Sequence, residues 1–477
     1  MSEFDLDPEE LRRLGCRAAD LVAEHREGLL RRPVFGKLGE AAAFFDEPLP
    51  EQGQPLEELL EVVRQHVLPH AFGNSHPRFF AFINATADPV GTVADYLASA
   101  MNSNCWGGDH ASIHVEKQVI AWLAEILGLP ATAEGILTSG GSMANLTALA
   151  TARAAVAPGV REQGFSGARP IVVYASEEVH NCVDKAVELL GIGWKQLRKI
   201  PTDEHFRIRL DLLRQAIAGD RAAGLTPAIV VGTAGTVNTG AVDPLQPLAD
   251  LCAAEGLWFH VDGAYGALAS VSPGLRPLFL GIERADSVAA DPHKWLYVPY
   301  EAGAVLVREP GRMAAAFRRP APYIVHDPDS PVAGPVSFNE RGPELSRGFK
   351  ALKVWMGMKR HGRLGYAAAV EHDVAMARFL ADELLARADF ELMAEPVLSI
   401  VGFRYRPAGW AGEDALARLN RRIVNRLVGS GAFFLAPTLL KGRTAMRVAI
   451  VNFRTTEDDL RALVDEVARV GRQIAAG

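Results

Sequence analysis

The fold is decided by the stretch Asp286-Ser287-Val288-Ala289-Ala290-Asp291-Pro292-His293-Lys294-Trp295. Its apolar first half is typical of a short buried strand, and Pro292 ends that strand because proline has no N–H to give to a sheet. We therefore expect Lys294 to lie in a turn at the carboxyl end of the strand. A lone lysine in a turn is ordinarily a solvated surface residue, so its meaning depends on the groups around it.

A second apolar run, residues 257–261, ends on Asp262. Burying a carboxylate among apolar neighbours is costly unless it is paired, so we expect a cationic partner. The competing interpretation is that Asp262 caps a following helix. A lysine and an aspartate at neighbouring strand ends are the minimal set that holds pyridoxal 5'-phosphate (PLP). The lysine amine forms an imine with the cofactor aldehyde, and the aspartate keeps the pyridine nitrogen protonated.

A glycine-rich turn supplies a candidate phosphate site. Gly140, Gly141 and Ser142 follow a predicted strand at residues 135–138 and open a helix. Glycines let the backbone approach a ligand closely, and free N–H groups at a helix start suit a phosphate. When these residues are considered alone, a tight turn with a serine cap is the better explanation, because Gly-Gly-Ser is common in turns.

Two more residues follow predicted strands. His180 comes after residues 170–175 and can stack on a flat ring, and Thr236 comes after residues 228–233 among small neighbours that leave room for a ligand. A surface histidine and a plain turn are the ordinary explanations. Because open α/β sheets bind ligands at the carboxyl ends of their strands, the coincidence of all these residues at strand ends favours a single site.

The pattern of elements predicts the fold class. From about residue 86 strands alternate with helical stretches, which is typical of a mostly parallel sheet covered by helices. The predicted strands are residues 135–138, 170–175, 228–233, 257–261, 287–290 and 302–307. We expect a large α/β domain at residues 86–360 and a smaller C-terminal α/β domain at 361–477. The strands predicted for the smaller domain, in an antiparallel sheet, are residues 397–403, 433–435 and 446–451.

Residues 1–85 differ from the rest of the chain. Asp7 and Pro8 begin a predicted helix that runs to about residue 30, and a second helix covers residues 56–67. Between them lies a stretch rich in proline, glycine and acids. These helices have no core of their own, so we expect them to pack on another surface, such as a partner subunit.

Composition narrows the function. The net charge is −7 without a long basic run, which argues against nucleic acid as a partner. No apolar run approaches the ~20 residues that cross a bilayer, and the acidic N-terminus lacks a signal-peptide core. The 4 scattered cysteines indicate reduced thiols in a cytoplasmic protein. The histidine pairs His66/His70 and His110/His114 lack nearby acids in a ligand pattern, so we assign no metal site.

The chain resembles the group II PLP-dependent amino acid decarboxylases, the family that acts on aromatic L-amino acids, histidine and glutamate. The most specific motifs are His260-Val261-Asp262-Gly263-Ala264-Tyr265 and Pro292-His293-Lys294-Trp295, within a match from His76 to Asn452. The resemblance implies the PLP-dependent fold type I, which is similar to aspartate aminotransferase. It also implies a homodimer with active sites at the subunit interface.

The resemblance assigns roles to residues. It implies Lys294 as the imine-forming lysine, Asp262 as the partner of the pyridine nitrogen, and His180 as the ring-stacking base. Further cofactor contacts implied by the family are Gly140, Gly141, Ser142, Asp291 and His293 near the phosphate, Thr236 and Ala264 at the ring, and Leu345 and Ser346 reaching the neighbouring subunit's phosphate.

Other positions concern the substrate. Tyr323 stands where the family has a loop tyrosine that protonates the substrate carbon after CO2 loss. The side-chain pocket is assigned to Phe82, Ile83, Asn104 and His293, with asparagine at position 104 where aromatic-amino-acid decarboxylases carry an aromatic residue. The predicted function is decarboxylation of an L-amino acid, by default one with an aromatic or other apolar side chain. The alternatives are decarboxylation with oxidative deamination to an aldehyde, transamination, and a catalytically silent PLP-binding regulator.

Overall fold

The computed structural model describes residues 5–165, 169–319, 334–410 and 412–476. Its larger sheet has seven strands. They are β1 (Glu134–Thr138), β2 (Ile171–Ser176), β3 (Leu197–Ile200), β4 (Thr226–Thr233), β5 (Trp258–Asp262), β6 (Ser287–Ala290) and β7 (Gly303–Val307). Their order is β1-β7-β6-β5-β4-β2-β3. β7 runs antiparallel to both of its neighbours and the other pairs are parallel, which confirms the mostly parallel sheet.

The prediction missed β3, the edge strand beside β2. Its sequence places Arg198 and Lys199 between two apolar residues, and only Leu197 and Ile200 are buried. Edge strands carry such charged residues because they protect an exposed edge from pairing with other chains. A pattern of this kind lacks the apolar alternation by which the other strands were recognised.

Helices connect the strands and pack on the sheet. They are α1 (Pro8–Glu27), α2 (Leu56–Val62), α3 (Pro89–Met101), α4 (Ala111–Leu127), α5 (Gly141–Val156), α6 (Val160–Gln163), α7 (Asn181–Leu189), α8 (Leu210–Ala222), α9 (Leu245–Glu255), α10 (Arg312–Phe317), α11 (Ala351–Leu385), α12 (Glu413–Ser430) and α13 (Glu457–Ala476). Of these, α4, α5, α8 and α9 contact strands of the larger sheet. None of the described helices is both long and apolar enough to cross a membrane.

The second sheet has four strands in the order β10-β11-β9-β8. They are β8 (Phe390–Leu392), β9 (Ile400–Tyr405), β10 (Ala436–Leu440) and β11 (Arg443–Ala449). All pairs are antiparallel, as predicted. The strand predicted at residues 433–435 is not part of this sheet. Phe434 pairs with Phe79 in an isolated bridge, and the strand that pairs with β11 is β10.

The N-terminal helix begins as the sequence predicts. The Asp7 side chain accepts hydrogen bonds from the N–H groups of Glu9 and Glu10, both at 2.9 Å. The second predicted helix, residues 56–67, is α-helical only as far as Val62 and continues as a π-helical turn over Val63–Val67.

The stretch after these helices is tied to the C-terminal part of the same chain. The Phe80 N–H donates to the Phe434 carbonyl at 2.8 Å, and the Ala449 N–H donates to the Phe80 carbonyl at 3.0 Å. Phe80 is fully buried in the apolar cluster of the four-stranded sheet. The packing of residues 1–85 on a partner subunit stays a prediction.

The predicted domain boundary falls inside α11. This helix is interrupted at Gly362, whose φ of 63° and ψ of 177° are not helical. A positive φ at this break is accessible to glycine without steric cost. One buried apolar cluster surrounds the seven-stranded sheet, and a second lies between the four-stranded sheet, α12 and α13. The division into domains at residues 85/86 and 360/361 remains a prediction.

Candidate active site

A cavity of about 500 Å3 opens at the carboxyl ends of the parallel strands. It brings together residues that are far apart in sequence, as expected for a parallel sheet. The predicted site residues that line it are Phe82, Ile83, Gly140, Gly141, Ser142, His180, Asp262, Ala264, Asp291, His293 and Lys294.

Lys294 lies in a tight turn directly after β6. Its N–H donates to the Asp291 carbonyl at 2.9 Å, which closes the turn. Its Nζ lies 3.0 Å from Asp291 Oδ2, and His293 Nε2 lies 3.5 Å from the same oxygen. Asp291 Oδ1 is buried without a hydrogen-bond partner. Asp291 Oδ2 therefore holds the lysine amine inside the cavity, while Asp291 Oδ1 accepts no hydrogen bond from a described protein group.

Asp262 ends β5 and is almost completely buried. One carboxylate oxygen accepts the Ala264 N–H at 3.2 Å. Across the part of the chain that the structure describes, no lysine, arginine or histidine lies within ion-pair distance of this carboxylate. The cationic partner predicted from the sequence is thus not one of these protein groups. A protonated pyridine nitrogen would complete the pairing that burial requires.

His180 precedes α7 and caps it. Its Nδ1 accepts the Cys182 N–H at 3.2 Å. An amide can only donate, so Nδ1 carries no proton and the neutral ring carries its proton on Nε2. Desolvation lowers the pKa of His180, and the nearby Lys294 lowers it further, while Asp262 opposes the shift. The ring is therefore neutral near pH 7 and presents an N–H group.

The glycine-rich turn forms a close-fitting cradle. α5 begins at Gly141 without a side-chain cap, so its first N–H groups have no intrahelical acceptor. Ser142 lies inside the helix, which excludes the serine-cap interpretation. A Cβ at Gly141 would come within 2.8 Å of the Ala264 Cβ and 2.9 Å of Asp291 Oδ2. A side chain there would force Ala264 or Asp291 to move, whereas glycine leaves the helix start open to close approach by an anion.

A buried network beneath the cavity was not predicted. Asn145 Nδ2 donates to the Gly141 carbonyl at 2.8 Å, which turns Asn145 Oδ1 towards His260 Nε2 at 2.7 Å. His260 Nε2 must therefore carry a proton. On the other side Trp258 Nε1 donates to Ser287 Oγ at 2.9 Å, and this hydroxyl lies 2.9 Å from His260 Nδ1. The network connects the cradle at α5 with β5 and β6.

Burial lowers the pKa of His260 to about 4, although Asp262 acts in the opposite direction. The ring is neutral, with Nε2 as donor and Nδ1 as acceptor of the Ser287 hydroxyl proton. In the sequence His260 is recognisable only as the first residue of the motif that contains Asp262. Its partners, Asn145 and Ser287, lie 115 and 27 residues away, so no local pattern could have identified the network.

Some predicted site residues lie apart from this cavity. Thr236 is buried beside it, with its hydroxyl 2.9 Å from Thr239 Oγ1. Asn104, predicted to contact substrate, does not line the cavity of its own chain. Its Oδ1 accepts the Arg347 N–H at 3.0 Å, next to the exposed Leu345 and Ser346. Tyr323 lies outside the described residues.

Other lining residues were missed. Tyr300 donates its hydroxyl to Asn84 Oδ1 at 2.8 Å, and its ring lies 4.5 Å from that of His293. Arg447 enters the cavity from β11, and burial lowers its pKa to about 10. Its Nη1 donates to the Val237 carbonyl at 2.8 Å. Among the residues described, no group of three or more histidine, cysteine or acidic side chains is arranged to hold a metal ion.

These groups fit PLP. The cavity has an amine for the aldehyde, a buried carboxylate that lacks a cation, a neutral imidazole, and a glycine cradle with free N–H groups. Each is a different requirement of the cofactor, and each is met by a separate strand end.

Comparisons with known proteins agree with this geometry. Residues 39–406 match the family model described as the pyridoxal-dependent decarboxylase conserved domain. The chain is 38% identical to the aromatic-L-amino-acid decarboxylase of Bacillus atrophaeus over 480 residues, covering 100% of this chain and 98% of that protein. It is 29% identical to the phenylacetaldehyde synthase of Petunia hybrida, covering 93% and 91%.

Among solved structures, that of Oryza sativa TDC with PLP and tryptamine superposes with a TM-score of 0.92 at 27% identity, covering 98% of this chain and 99% of that one. The likeness in fold extends over the seven-stranded sheet and the C-terminal sheet together. The chain therefore belongs to the pyridoxal-dependent decarboxylase family, and it is a PLP-dependent amino acid decarboxylase of fold type I.

Proposed function

We propose that the chain is a homodimeric cytoplasmic decarboxylase of L-amino acids with aromatic or other apolar side chains. The observation that carries the substrate class is the wall formed by Phe82 and Ile83 beside the lysine. Phe82 is 46% exposed and belongs to a cluster of aromatic rings. Its ring centroid lies 5.7 Å from that of Phe434, 6.3 Å from Phe79 and 6.4 Å from Phe72. Such a surface favours a flat apolar side chain.

Another part of the cavity lining is polar. Asn84 and Tyr300 are hydrogen-bonded to each other, and Glu301 also lines the cavity. These groups can accept or donate one hydrogen bond to a polar atom on an aromatic ring. The pocket thus suits an aromatic side chain with a polar edge better than a purely aliphatic one.

When bound, PLP supplies a ring that accepts the electron pair left by the departing CO2. We assign Lys294 to covalent attachment of the cofactor and Asp262 to holding a proton on the pyridine nitrogen. Arg447 is the guanidinium that lines the cavity, and it can attract the substrate carboxylate. We assign proton delivery to the substrate α-carbon to Tyr323, with the Nε2 proton of His180 nearby.

The test is a panel of the common L-amino acids incubated with the PLP-loaded enzyme, with CO2, amine and aldehyde measured together. We expect stoichiometric CO2 and amine, with the highest kcat/KM for an aromatic substrate. Highest kcat/KM for an acidic or a small aliphatic amino acid would overturn the substrate class and leave the decarboxylase assignment intact.

The alternative product is an aldehyde, and we test for it because one relative is a phenylacetaldehyde synthase. In that outcome the substrate loses its amine as well as CO2, and oxygen is consumed. An oxygen electrode during the same assay separates the two. Aldehyde formed with matching oxygen consumption would replace the simple decarboxylase proposal.

The homodimer is supported by residues that are exposed in the single chain. Leu345 and Ser346, which are assigned to cofactor binding, are exposed, and so is Asn104, which is assigned to the substrate pocket. A residue cannot contact a ligand from an open surface unless another subunit supplies the rest of the site. We propose that these residues complete the active site of the partner subunit.

Cytoplasmic location is supported by the cysteines. All 4 are free, with Cys105, Cys182 and Cys252 buried and Cys16 exposed. Free thiols persist in a reducing compartment. Thiol titration of freshly purified protein should find 4 reactive groups after denaturation.

A further inference from the structure

A second cavity lies far from the glycine cradle, between the end of α1 and the C-terminal part of the chain. Its volume is about 560 Å3, and its lining includes the four arginines Arg26, Arg32, Arg78 and Arg454. None of these side chains has a role in the decarboxylase site described above.

The positive charge in this cavity is not balanced by the acids that line it. Of the two lining carboxylates, Asp459 is already occupied, because it accepts Arg78 Nε at 2.7 Å and the Thr456 hydroxyl at 2.9 Å. Glu27 is exposed at the rim. Within the described ranges no carboxylate lies within ion-pair distance of Arg26, Arg32 or Arg454. Three guanidinium groups therefore share one cavity without counter-charges.

Two of these guanidinium groups are held by neutral contacts. Arg454 lies 4.5 Å from the centroid of the Phe453 ring and donates to Thr86 Oγ1. Arg32 Nη1 donates to the Leu68 carbonyl at 3.3 Å and to His25 Nδ1. The Arg26 side chain has no hydrogen-bond or ion-pair partner among the residues described. Stacking and carbonyl contacts orient the charges and do not neutralise them.

The positive charge of these arginines affects the pKa of groups around the cavity. Burial lowers the pKa of Arg454, and the neighbouring Arg26 lowers it further, against a smaller effect of Asp88. Burial also lowers the pKa of His25, with added effects from Arg32 and Arg26. Cations that oppose each other's charge in this way are stabilised by a bound anion.

We propose that this arginine-lined cavity is a binding site for a phosphorylated small molecule. Guanidinium groups bind phosphate oxygens through paired, charge-assisted hydrogen bonds, and three of them match a group with three acceptor oxygens better than a single carboxylate. The cavity is larger than a bare phosphate and has the size of sites for small organic ligands. The phosphate group would lie between Arg26 and Arg454, with the remainder of the molecule towards His76 and Pro77.

The test is isothermal titration calorimetry of the PLP-saturated enzyme with sodium pyrophosphate as the probe. Saturation with PLP keeps the probe out of the glycine cradle, and the readout does not depend on decarboxylase activity. We expect R26Q and R454Q each to weaken binding about tenfold or more, since each removes a charge-assisted interaction. R31Q is the matched control, because Arg31 is exposed, precedes Arg32 in the sequence and does not line the arginine-lined cavity. It should change binding less than about twofold.

R26Q is the decisive variant, since the Arg26 side chain makes no hydrogen bond or ion pair with the described residues whose loss would destabilise the fold. The proposal is overturned if pyrophosphate does not bind the wild-type holoenzyme, or if it binds R26Q and R454Q as tightly as wild type. It is also overturned if citrate binds more tightly than pyrophosphate, or if a structure of the dimer shows partner carboxylates paired with these arginines.

Discussion

At the scale of single residues, we propose that the Lys294 amine attaches PLP covalently and that the Asp262 carboxylate pairs with its pyridine nitrogen. Borohydride reduction followed by peptide mapping should place a pyridoxyl group on Lys294, and K294A should lose it. D262N keeps the size of the side chain but not its charge, so it should retain the reducible bond while kcat falls about 10²- to 10³-fold. Full activity in D262N, or a pyridoxyl group on another lysine, would contradict these roles.

His260 gives a second prediction at this scale, because its pKa of about 4 lies below its ordinary value of 6.5. The folded protein then binds fewer protons than the unfolded chain between these values. This contribution to stability is complete above about pH 6.5 and is lost as the pH falls towards 4. The loss of stability between neutral pH and pH 5 amounts to about 2 kcal/mol.

Urea unfolding of wild type and H260Q at pH 7.5 and pH 5 measures this effect. H260Q should be less stable than wild type at the higher pH, because the bond to Asn145 is disturbed, but the difference should narrow by ~2 kcal/mol at the lower pH. An equal difference at both pH values would show that His260 does not titrate as described.

At the scale of elements, a buried ion pair joins α4, β1 and the segment that carries Leu345 and Ser346. Arg347 Nη2 lies 2.6 Å from Glu116 Oε1, and both side chains are almost completely buried. Glu116 also accepts the Leu137 N–H at 3.0 Å, and Arg347 donates to the Leu137 carbonyl at 2.8 Å. The pair thus fixes the position of a surface segment relative to the sheet.

Removing one member of this pair leaves a buried charge without a partner. R347L should therefore lower the free energy of unfolding by about 3–5 kcal/mol. The matched control is R308L, since Arg308 forms a pair of 2.8 Å with Asp286 at the surface. That substitution should cost less than about 1 kcal/mol. Similar losses in both variants, measured by urea unfolding, would refute the difference between the buried and the exposed pair.

At the scale of the whole molecule, α3 presents an apolar face that the single chain leaves uncovered. Val93, Tyr96, Leu97 and Met101 are exposed at helical spacing on one side of the helix. Exposed apolar patches of this kind mark protein interfaces. This is the surface on which we expect the second subunit of the proposed homodimer to pack.

L97E should dissociate the dimer, because it places a charge within the apolar interface. Light scattering coupled to size exclusion should find twice the 51.4 kDa chain mass for wild type and a single chain for L97E. L189E is the control: Leu189 is 74% exposed on α7 and lies outside the α3 patch, so the variant should stay dimeric. A wild-type protein of 51.4 kDa, or a dimeric L97E, would contradict this assignment.

What the sequence by itself determined is the set of groups whose signal is local. Asp262 ends a strand, and Lys294, His180 and the Gly141 turn each come within a few residues of a strand end. The carboxyl ends of parallel strands lie at the same edge of a sheet, so these groups converge. These groups predicted the cofactor, while the alternation of strands and helices predicted the α/β class and the family resemblance implied fold type I. The edge strand β3 escaped detection because its charged residues suit an exposed edge and break the apolar pattern.

The tertiary structure alone decided which side chains meet across long stretches of chain. His260 meets Asn145, 115 residues away, and Phe434 pairs with Phe79. Asn104, assigned to the substrate pocket from the sequence, accepts the Arg347 N–H at the surface of the single chain, and its contact with substrate stays a prediction. Apolar patterning along one element predicts which of its faces is buried, but it carries no information about which distant side chains form hydrogen bonds. That Asp262 has no cationic partner among the described residues is likewise known only from the folded chain, because it depends on which side chains surround the carboxylate.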